Sequence, residues 1–257
     1  MSWIIADYTP VSFFSLRPAH ATASGGQTLL VPTAYALKMA VLNASIQTVG
    51  LAEGQRRFPT IRDLRIALRP PDAITVLKSF AKIRRPAEFK DASKREEKIT
   101  ELREKGQYPF QSTIAYRELV QFGDPLEVPK LNVLRVACIG AGGDPPAWLG
   151  PALVAINYLG KRGGFLQMVS PPALVTNLEK GFTELTRDST DGTGFPMGGT
   201  LQMLDDCGSE MTFEHANVYE GSKRITLGKE RVLRHVVLPY TLTRSSRGYS
   251  LYERING

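Results

Sequence analysis

The chain has 257 residues, of which 42% are hydrophobic and 22% are charged. These values are ordinary for a globular protein, so they exclude a chain that is disordered throughout. The 32 Lys and Arg residues outnumber the 25 Asp and Glu residues, which gives a net charge of +7 and a pI near 9.4. This excess of positive charge favours a polyanionic partner, and nucleic acid is the leading candidate.

The cysteines and histidines argue against several classes of site. Cys138 and Cys207 are too few for a disulfide framework, and neither has a second Cys or His at the spacing of a zinc site. We therefore predict no metal, no cofactor and a reducing, cytoplasmic location. Because there is no run of eighteen apolar residues and no secretory pattern in residues 1–9, we expect no association with a membrane.

The first elements are predicted from residue type and periodicity. Residues 3–8 predict a strand, because β-branched and aromatic side chains fit a pleated sheet. Apolar residues recur every three or four positions over 32–46, which predicts a helix that has Pro32 at its first position. Residues 60–69 alternate, and they predict a strand with Arg65 and Arg69 on a solvated, basic face.

A charged insertion follows this strand. Residues 73–83 are compatible with one arm of a hairpin, and residues 82–105 hold nine basic against six acidic residues. With so few apolar side chains, this segment is expected to project from the core and to be helical near its middle. A solvated, charged hairpin explains this composition more simply than direct contact with nucleic-acid bases does.

The second half of the chain repeats the strand and helix pattern and then becomes rich in strands. The predicted elements are strands at 112–121, 131–139 and 165–169, a helix at 151–159, and a hairpin formed by 231–242 and 249–255. This order resembles a split βαβ arrangement, so we predict an α+β fold of the ferredoxin-like or RRM-like type. The domain would span 1–173 with an insertion at about 70–108, and 174–257 would form a β-rich extension packed on it.

Two local patterns are interpreted as structural. Gly140, Gly142 and Gly143 lie between a predicted strand and a predicted helix, but Pro145 stands where a dinucleotide-binding fingerprint needs its third glycine. We therefore interpret this segment as a turn. Asp205 and Asp206 are likewise expected at a turn rather than in a paired-carboxylate site.

The remaining candidate site is basic. Glycine loops and helix starts offer backbone N–H groups to phosphates, and arginines add bidentate hydrogen bonds. Side chains of this kind fall near predicted element ends and would bind single-stranded RNA if they converge. The candidates are Arg17, His20, Gly25, Gly26 and Gln27 in the first loop, Lys38 on the first helix, Arg84, Arg85, Arg117, Lys161 and Arg162.

Three stretches of the sequence resemble a known family. They are VPTAYALKMAVL at 31–42, preceded by FFSLR at 13–17, TIAYRELV at 113–120, and AINYLGKRGGF at 155–165. In their order, and with the charged insertion between the first two, they resemble the Cas-five subunit of type I CRISPR Cascade complexes, in the RAMP superfamily. The match covers about half of the chain, and the last seventy residues take no part in it.

The resemblance implies a ferredoxin-like RAMP fold with an inserted thumb hairpin that grips the 5′ handle of the guide RNA (crRNA). It adds Tyr116 to the predicted RNA contacts, because this residue precedes Arg117 in the matching strand. It also implies contacts with the Cascade backbone subunit and the large subunit. Target DNA would be reached only indirectly, through base pairing with the guide.

We therefore expect a non-catalytic crRNA-binding subunit that caps one end of a ribonucleoprotein used in antiviral defence. One alternative is a metal-independent endoribonuclease of the same superfamily, which would process precursor crRNA with His20 and either Tyr116 or Lys38. The glycines of 191–199 do not reproduce the C-terminal glycine-rich loop of such nucleases. Another alternative is a basic scaffold that contacts only protein.

Overall fold

A computed structural model describes residues 1–19, 26–86, 92–107, 110–127, 131–160, 164–187, 198–217 and 223–255. The strands are β1 (Trp3–Pro10), β2 (Arg65–Arg69), β3 (Ala73–Pro86), β4 (Phe110–Phe122), β5 (Leu134–Ile139), β6 (Leu166–Val175), β7 (Thr183–Glu184), β8 (Thr200–Cys207), β9 (Arg231–Leu238), β10 (Tyr240–Ser245) and β11 (Tyr249–Arg254). The helices are α1 (Ala34–Val49), α2 (Leu51–Arg62), α3 (Arg95–Glu104), α4 (Leu149–Val154) and α5 (Phe213–Ala216), with a 3₁₀ turn at Ala92–Lys94.

A five-stranded sheet carries the main core. Its strand order is β6-β1-β5-β2-β7, and every neighbouring pair is antiparallel. On one face the side chains of Tyr8, Leu68 and Val136 are buried in the cluster that also contains residues of α1 and α4. The hydroxyl of Tyr8 donates a hydrogen bond of 2.7 Å to the carbonyl oxygen of Leu153, which fixes α4 against β1.

The first helix begins two residues later than the sequence predicts. Thr33 is extended, and its hydroxyl oxygen accepts a hydrogen bond of 3.1 Å from the backbone N–H of Ala36, so Thr33 is the N-cap of α1. Pro32 therefore precedes the cap. The helix runs past the predicted end to Val49, where Gly50 adopts a positive φ of 88° and separates it from α2.

The prediction of a strand over 60–69 is wrong in its first half. Residues 60–62 belong to α2, whose Phe58 and Ile61 are buried, and only Arg65–Arg69 are extended. Gly54 and Pro59 lie inside this helix and obscured its pattern in the sequence, since both residues disfavour helix interiors.

The expected basic face of β2 is covered by acidic partners from later in the chain. Arg65 forms two hydrogen bonds of 2.9 Å with the carboxylate of Glu184, and Arg69 lies 2.6 Å from a carboxylate oxygen of Glu179. Arg135 on the neighbouring strand pairs with Glu179 and Asp7. These arginines therefore stabilise the sheet instead of presenting unpaired charge to solvent.

A second sheet has the order β10-β11-β3-β4 and is antiparallel throughout. Strands β3 and β4 pair from Ile74 opposite Phe122 to Pro86 opposite Phe110, and α3 lies in the connection between them. Ile74 and Phe122 are buried at the base of this ribbon, whereas α3 has no buried residue. The predicted arm at 73–83 and the predicted helix near the middle of the insertion are thus both present.

The last part of the chain differs from the predicted single hairpin. β10 and β11 do form a hairpin, but β9, which the sequence placed in its first arm, pairs with β8 instead. Pro239 separates β9 from β10 and ends the run of alternating residues. Among the residues that the structure describes, no helix is both long enough and apolar enough to cross a membrane.

Candidate nucleic-acid interface

The loop that follows β1 lies along the free edge of β4. Phe14 and Val120 exchange backbone hydrogen bonds of 3.1 and 2.6 Å, and the N–H of Glu118 donates to the carbonyl oxygen of Gly26 at 2.7 Å. The N–H of Leu29 then donates to the carbonyl oxygen of Leu16 at 2.8 Å, which holds the two ends of the loop together. Strand β4 thus gains backbone partners on an edge that none of the described strands covers.

This docking brings several predicted site residues together. Gly26 and Gln27 lie beside Tyr116 and Arg117 of β4, and Arg17 is exposed on the same loop. The side chain of Arg117 is half-buried and donates a hydrogen bond of 2.7 Å to the carbonyl oxygen of Tyr116. In the part of the chain that is described, no carboxylate forms an ion pair with Arg117, so its charge is available to an anion.

Gly26 permits this close approach. A Cβ atom at this position would lie less than 3.0 Å from both the carbonyl carbon and the carbonyl oxygen of Tyr116. The absence of a Cβ at Gly26 therefore allows the backbone of the loop to lie directly against β4. Gly26 contributes to the site by positioning the loop.

We expect Gly26→Ala to lower the free energy of unfolding by about 1 kcal/mol, the net value of the hydrogen bond from Glu118 that the added methyl group would break. RNA affinity should fall with it, because the loop that carries Arg17 would lose this contact with β4. Urea unfolding and RNA titration measure the two effects. The control is Gly142→Ala, where an added Cβ meets nothing within 4 Å. The prediction would be contradicted if the two variants had the same free energy of unfolding and the same RNA affinity.

Glu118 organises the same junction and was not predicted. One of its carboxylate oxygens accepts a hydrogen bond of 3.1 Å from the backbone N–H of Thr28, and the other accepts one of 2.8 Å from the hydroxyl of Tyr116. Burial and this carboxylate raise the pKa of Tyr116 to about 12. The Tyr116 hydroxyl therefore stays protonated at neutral pH and serves as a donor to Glu118.

Beyond this junction, one face of the β3–β4 ribbon combines exposed apolar and basic side chains. We call it the hairpin face; it comprises Phe80, Lys82, Arg84, Phe110, Ile114 and Tyr116. The pairing of Phe80 with Tyr116 and of Lys82 with Ile114 sets these side chains on one side of the two strands. Phe80 and Ile114 are 74% and 76% exposed.

The hairpin face has the chemistry of a surface that binds single-stranded nucleic acid. The rings of Phe80 and Tyr116 meet edge to face, with centroids 5.7 Å apart, so Phe80 is held in place although it is exposed. Exposed aromatic rings stack on bases, and neighbouring cations attract phosphates. Among the described residues, no carboxylate pairs with Lys82 or Arg84. The alternation of Phe80, Lys82 and Arg84 in β3 was the sequence signal for this face.

Lys38 is a correction to the predicted site. Its ammonium group lies 2.6 Å from a carboxylate oxygen of Asp206, and the two side chains are only 2% and 4% exposed. The same oxygen accepts a hydrogen bond of 2.8 Å from the backbone N–H of Cys207. Because the pair is enclosed between α1 and β8, Lys38 cannot reach an RNA backbone. The expectation of a turn at Asp205 and Asp206 is also wrong, since both lie buried in β8.

The other predicted residues are distributed as follows. Arg84 lies five residues along β3 from Ser79, the partner of Arg117, which corresponds to about 17 Å at about 3.4 Å per residue. The backbone of Arg85 belongs to β3, but its side chain is outside the described atoms. His20, Gly25, Lys161 and Arg162 lie outside the described residues. The RNA contacts of all these residues stay predictions.

The chain is similar to a curated CRISPR-associated protein and to solved structures of CRISPR proteins. No protein-family model matches the chain. The CRISPR-associated protein Cas5 of Archaeoglobus fulgidus is 28% identical over 133 residues, which are 50% of this chain and 50% of that protein. The chain thus matches about half the length of this curated relative. Its name is that of the family predicted from the sequence motifs, so the predicted resemblance is confirmed.

The structural comparison supports the fold. The crystal structure of a CRISPR protein from Archaeoglobus fulgidus covers 100% of this chain and 93% of its own, with a TM-score of 0.50 and 11% identity. This likeness indicates a shared mixed α/β fold with antiparallel sheets. A chain of a CRISPR RNA-guided surveillance complex matches 98% of this chain and 89% of its own length, with a TM-score of 0.45 and 13% identity.

Proposed function

We propose that this chain is a crRNA-binding subunit of a Cascade-type CRISPR ribonucleoprotein, that it holds the 5′ handle of the guide, and that it acts in the cytoplasm. The observation that carries this proposal is the hairpin face, where exposed Phe80 and Ile114 lie beside Lys82 and Arg84, which pair with no carboxylate of the described residues. The similarity to a protein named Cas5 supplies the CRISPR context.

We also propose that the five-stranded sheet is a ferredoxin-like core. The order β6-β1-β5-β2, with helices between β1 and β2 and between β5 and β6, is the antiparallel order that two interleaved strand–helix–strand units generate. The β3–β4 ribbon, inserted between β2 and β5, would then be the thumb. Its buried base and exposed outer part suit a segment that reaches over a bound RNA.

The proposed protein partners are the Cascade backbone subunit and the large subunit. Several large apolar side chains are exposed near the end of β1 and around the segments that it contacts, and a subunit interface would bury them. They are Val11, Phe13, Leu131 and Phe165. Target DNA would be recognised through pairing with the guide rather than by this chain.

The proposed role is non-catalytic. The alternative of an endoribonuclease requires Tyr116 or Lys38 beside His20, yet Lys38 is buried in an ion pair. A tyrosine whose pKa is raised to about 12 is a poor general base at neutral pH, because its phenolate is then scarcely populated. These two observations favour RNA binding over RNA cleavage.

The central test is the variant Arg117→Ala, compared with Arg56→Ala, whose exposed side chain lies on α2 and pairs with Glu53. Binding of a repeat-derived crRNA is measured by fluorescence anisotropy over a range of salt concentrations. We expect Arg117→Ala to weaken binding, and to reduce the slope of log affinity against log salt by about 0.7, the value for one lost phosphate contact on a single strand. Arg56→Ala should leave both quantities unchanged.

Two outcomes would contradict the proposed function. The first is a wild-type protein that does not bind crRNA, or an Arg117→Ala variant with the affinity and salt slope of Arg56→Ala. The second is cleavage of repeat RNA in EDTA by the wild-type protein that is lost in His20→Ala, which would establish the nuclease alternative. The expected result of this incubation is intact RNA.

A further inference from the structure

An open cleft lies next to the docked loop. It is bounded by the loop, by the first turns of α1 and by β8 and β9, and its volume is about 340 Å³. This volume is at the lower end of the range for small-molecule sites, about 300–1,000 Å³. Arg17, Tyr35, Tyr158, Asp205 and Arg231 line it together with apolar side chains.

The deep end of the cleft contains a buried carboxylate whose charge is compensated. Asp205 is 3% exposed, and one of its carboxylate oxygens accepts a hydrogen bond of 2.6 Å from Nε of Arg231. The Arg231 guanidinium also lies over the ring of Tyr35, with its carbon 4.2 Å from the ring centroid. Arg231 therefore compensates the charge of the Asp205 carboxylate, and a carboxylate at this position accepts hydrogen bonds but repels phosphate.

The outer end of the cleft attracts anions, in contrast to the carboxylate at the buried end. Arg17 is exposed there and carries a positive charge, which attracts phosphate. Leu16 and Met39 give the cleft apolar walls, and Tyr158 adds an aromatic ring. An exposed cation, apolar and aromatic walls and a buried acceptor are the partners that the phosphate, sugar and base of one nucleotide need.

We propose that this cleft binds one unstacked nucleotide of the RNA, with a base that carries an exocyclic amino group directed toward Asp205 and its phosphate near Arg17. This inference rests on the proposed function. The amino group of cytosine, adenine or guanine donates to the Asp205 carboxylate, whereas uracil presents a carbonyl oxygen in the place of the cytosine amine. Asn43, which also lines the cleft, provides an amide that can donate and accept at the base edge.

The position of Arg17 connects the cleft to the predicted RNA surface. Arg17 lies on the loop that docks along β4, so a strand that contacts Arg117 can continue past the loop into the cleft. On the other rim, Gly160 lines the cleft and directly precedes the predicted contacts Lys161 and Arg162 in the sequence. The cleft thus touches the basic loop that carries Arg17 and, at Gly160, the residue before a second basic segment of the sequence.

The test uses fluorescein-labelled ten-nucleotide oligocytidylate and oligouridylate, which differ in the exocyclic group that would face Asp205. Their affinities for the full chain are compared by anisotropy at one salt concentration. We expect the wild-type protein to bind oligocytidylate about tenfold more tightly, the ratio for about 1.4 kcal/mol of hydrogen bonding to a charged acceptor. Ala36→Phe, which fills the cleft from α1, should reduce this ratio to less than twofold.

The matched control is Ala52→Phe, which adds the same side chain at an exposed position of α2. It should keep the wild-type ratio. The proposal that the cleft binds a nucleotide would be overturned by a wild-type protein that binds both oligonucleotides equally, or by an Ala36→Phe variant that keeps the preference for oligocytidylate. Either result would leave the proposed function unaffected. A wild-type protein that binds neither would overturn both.

A second measurement needs no variant. Oligocytidylate with a single 5-iodocytidine is irradiated with the wild-type protein, and the crosslinked peptides are identified by mass spectrometry. We expect adducts on Tyr35 or Tyr158. Adducts confined to Phe80 or Tyr116 of the hairpin face would show RNA binding without occupation of the cleft, and would overturn the inference.

Discussion

Replacing Lys38 by methionine is expected to lower the free energy of unfolding by about 3–5 kcal/mol, the usual cost of leaving one member of a buried ion pair without its partner. Lys38 and Asp206 are almost fully enclosed, and the ammonium group lies 2.6 Å from the carboxylate. Methionine fills a similar volume, so the loss should come from the uncompensated charge of Asp206. Urea unfolding at pH 8 measures it.

The double variant Lys38→Met with Asp206→Leu is the control for this explanation. Because well-packed apolar residues often replace a buried ion pair without loss, the double variant should regain most of the stability. A Lys38→Met variant within about 1 kcal/mol of the wild type, or a double variant no more stable than the single one, would contradict the role assigned to the pair.

The deficit in the free energy of unfolding of Lys38→Met should also depend on pH. Burial raises the pKa of Asp206, and the Lys38 ammonium opposes this shift. Without Lys38 the folded-state pKa lies further above the unfolded one, so protonation favours the folded state. The deficit relative to the wild type is therefore largest above the folded-state pKa and shrinks as pH falls through it. We expect a smaller difference at pH 5 than at pH 8.

Replacing Phe80 by alanine is expected to weaken RNA binding by about 1–3 kcal/mol, which is roughly five- to 150-fold, the range for loss of one base–aromatic stack. Phe80 is 74% exposed, so the free energy of unfolding should change by less than about 0.5 kcal/mol. Anisotropy with crRNA and urea unfolding separate the two effects.

The controls for Phe80 distinguish stacking from general apolar contact. Phe80→Tyr keeps a ring and should keep most of the affinity, whereas Val49→Ala removes apolar surface from the exposed end of α1 and should have no effect. If Phe80→Ala binds RNA as tightly as Val49→Ala does, the hairpin face does not stack on bases. The proposed function would then lose the observation that carries it.

Much of the order of elements was predictable because their residues repeat with a clear period. The strands β1, β4, β5 and the body of α1 follow from runs of apolar and β-branched residues, and the helix inside the charged insertion follows from its composition. The helix α2 was missed because Gly54 and Pro59 weaken its pattern. Packing of Phe58 against Phe213, with ring centroids 6.1 Å apart, supports this helix from 155 residues away.

The candidate site was predicted in part. The basic loop and the strand that carries Arg117 were identified, and they meet along the edge of β4. Glu118 and Phe80 were missed. Glu118 carries no local signal of its role, and the alternation of Phe80 with Lys82 and Arg84 places them on one face without showing that this face is exposed. Which face of the β3–β4 ribbon is exposed depends on the residues that pack against the base of the ribbon. Those residues lie elsewhere in the sequence.

The positions of positive charge, glycine and periodic apolar residues are read directly from the sequence, and they were sufficient to predict an α+β protein with a basic RNA surface and a resemblance to Cas5. Which of those charges face solvent depends on how the elements pack in the folded chain. Lys38 and Arg117 are equally basic in the sequence, but Lys38 meets Asp206, 168 residues further along, inside the core. Whether a charged side chain is buried or exposed depends on the element that packs against it, and the local sequence does not specify that element.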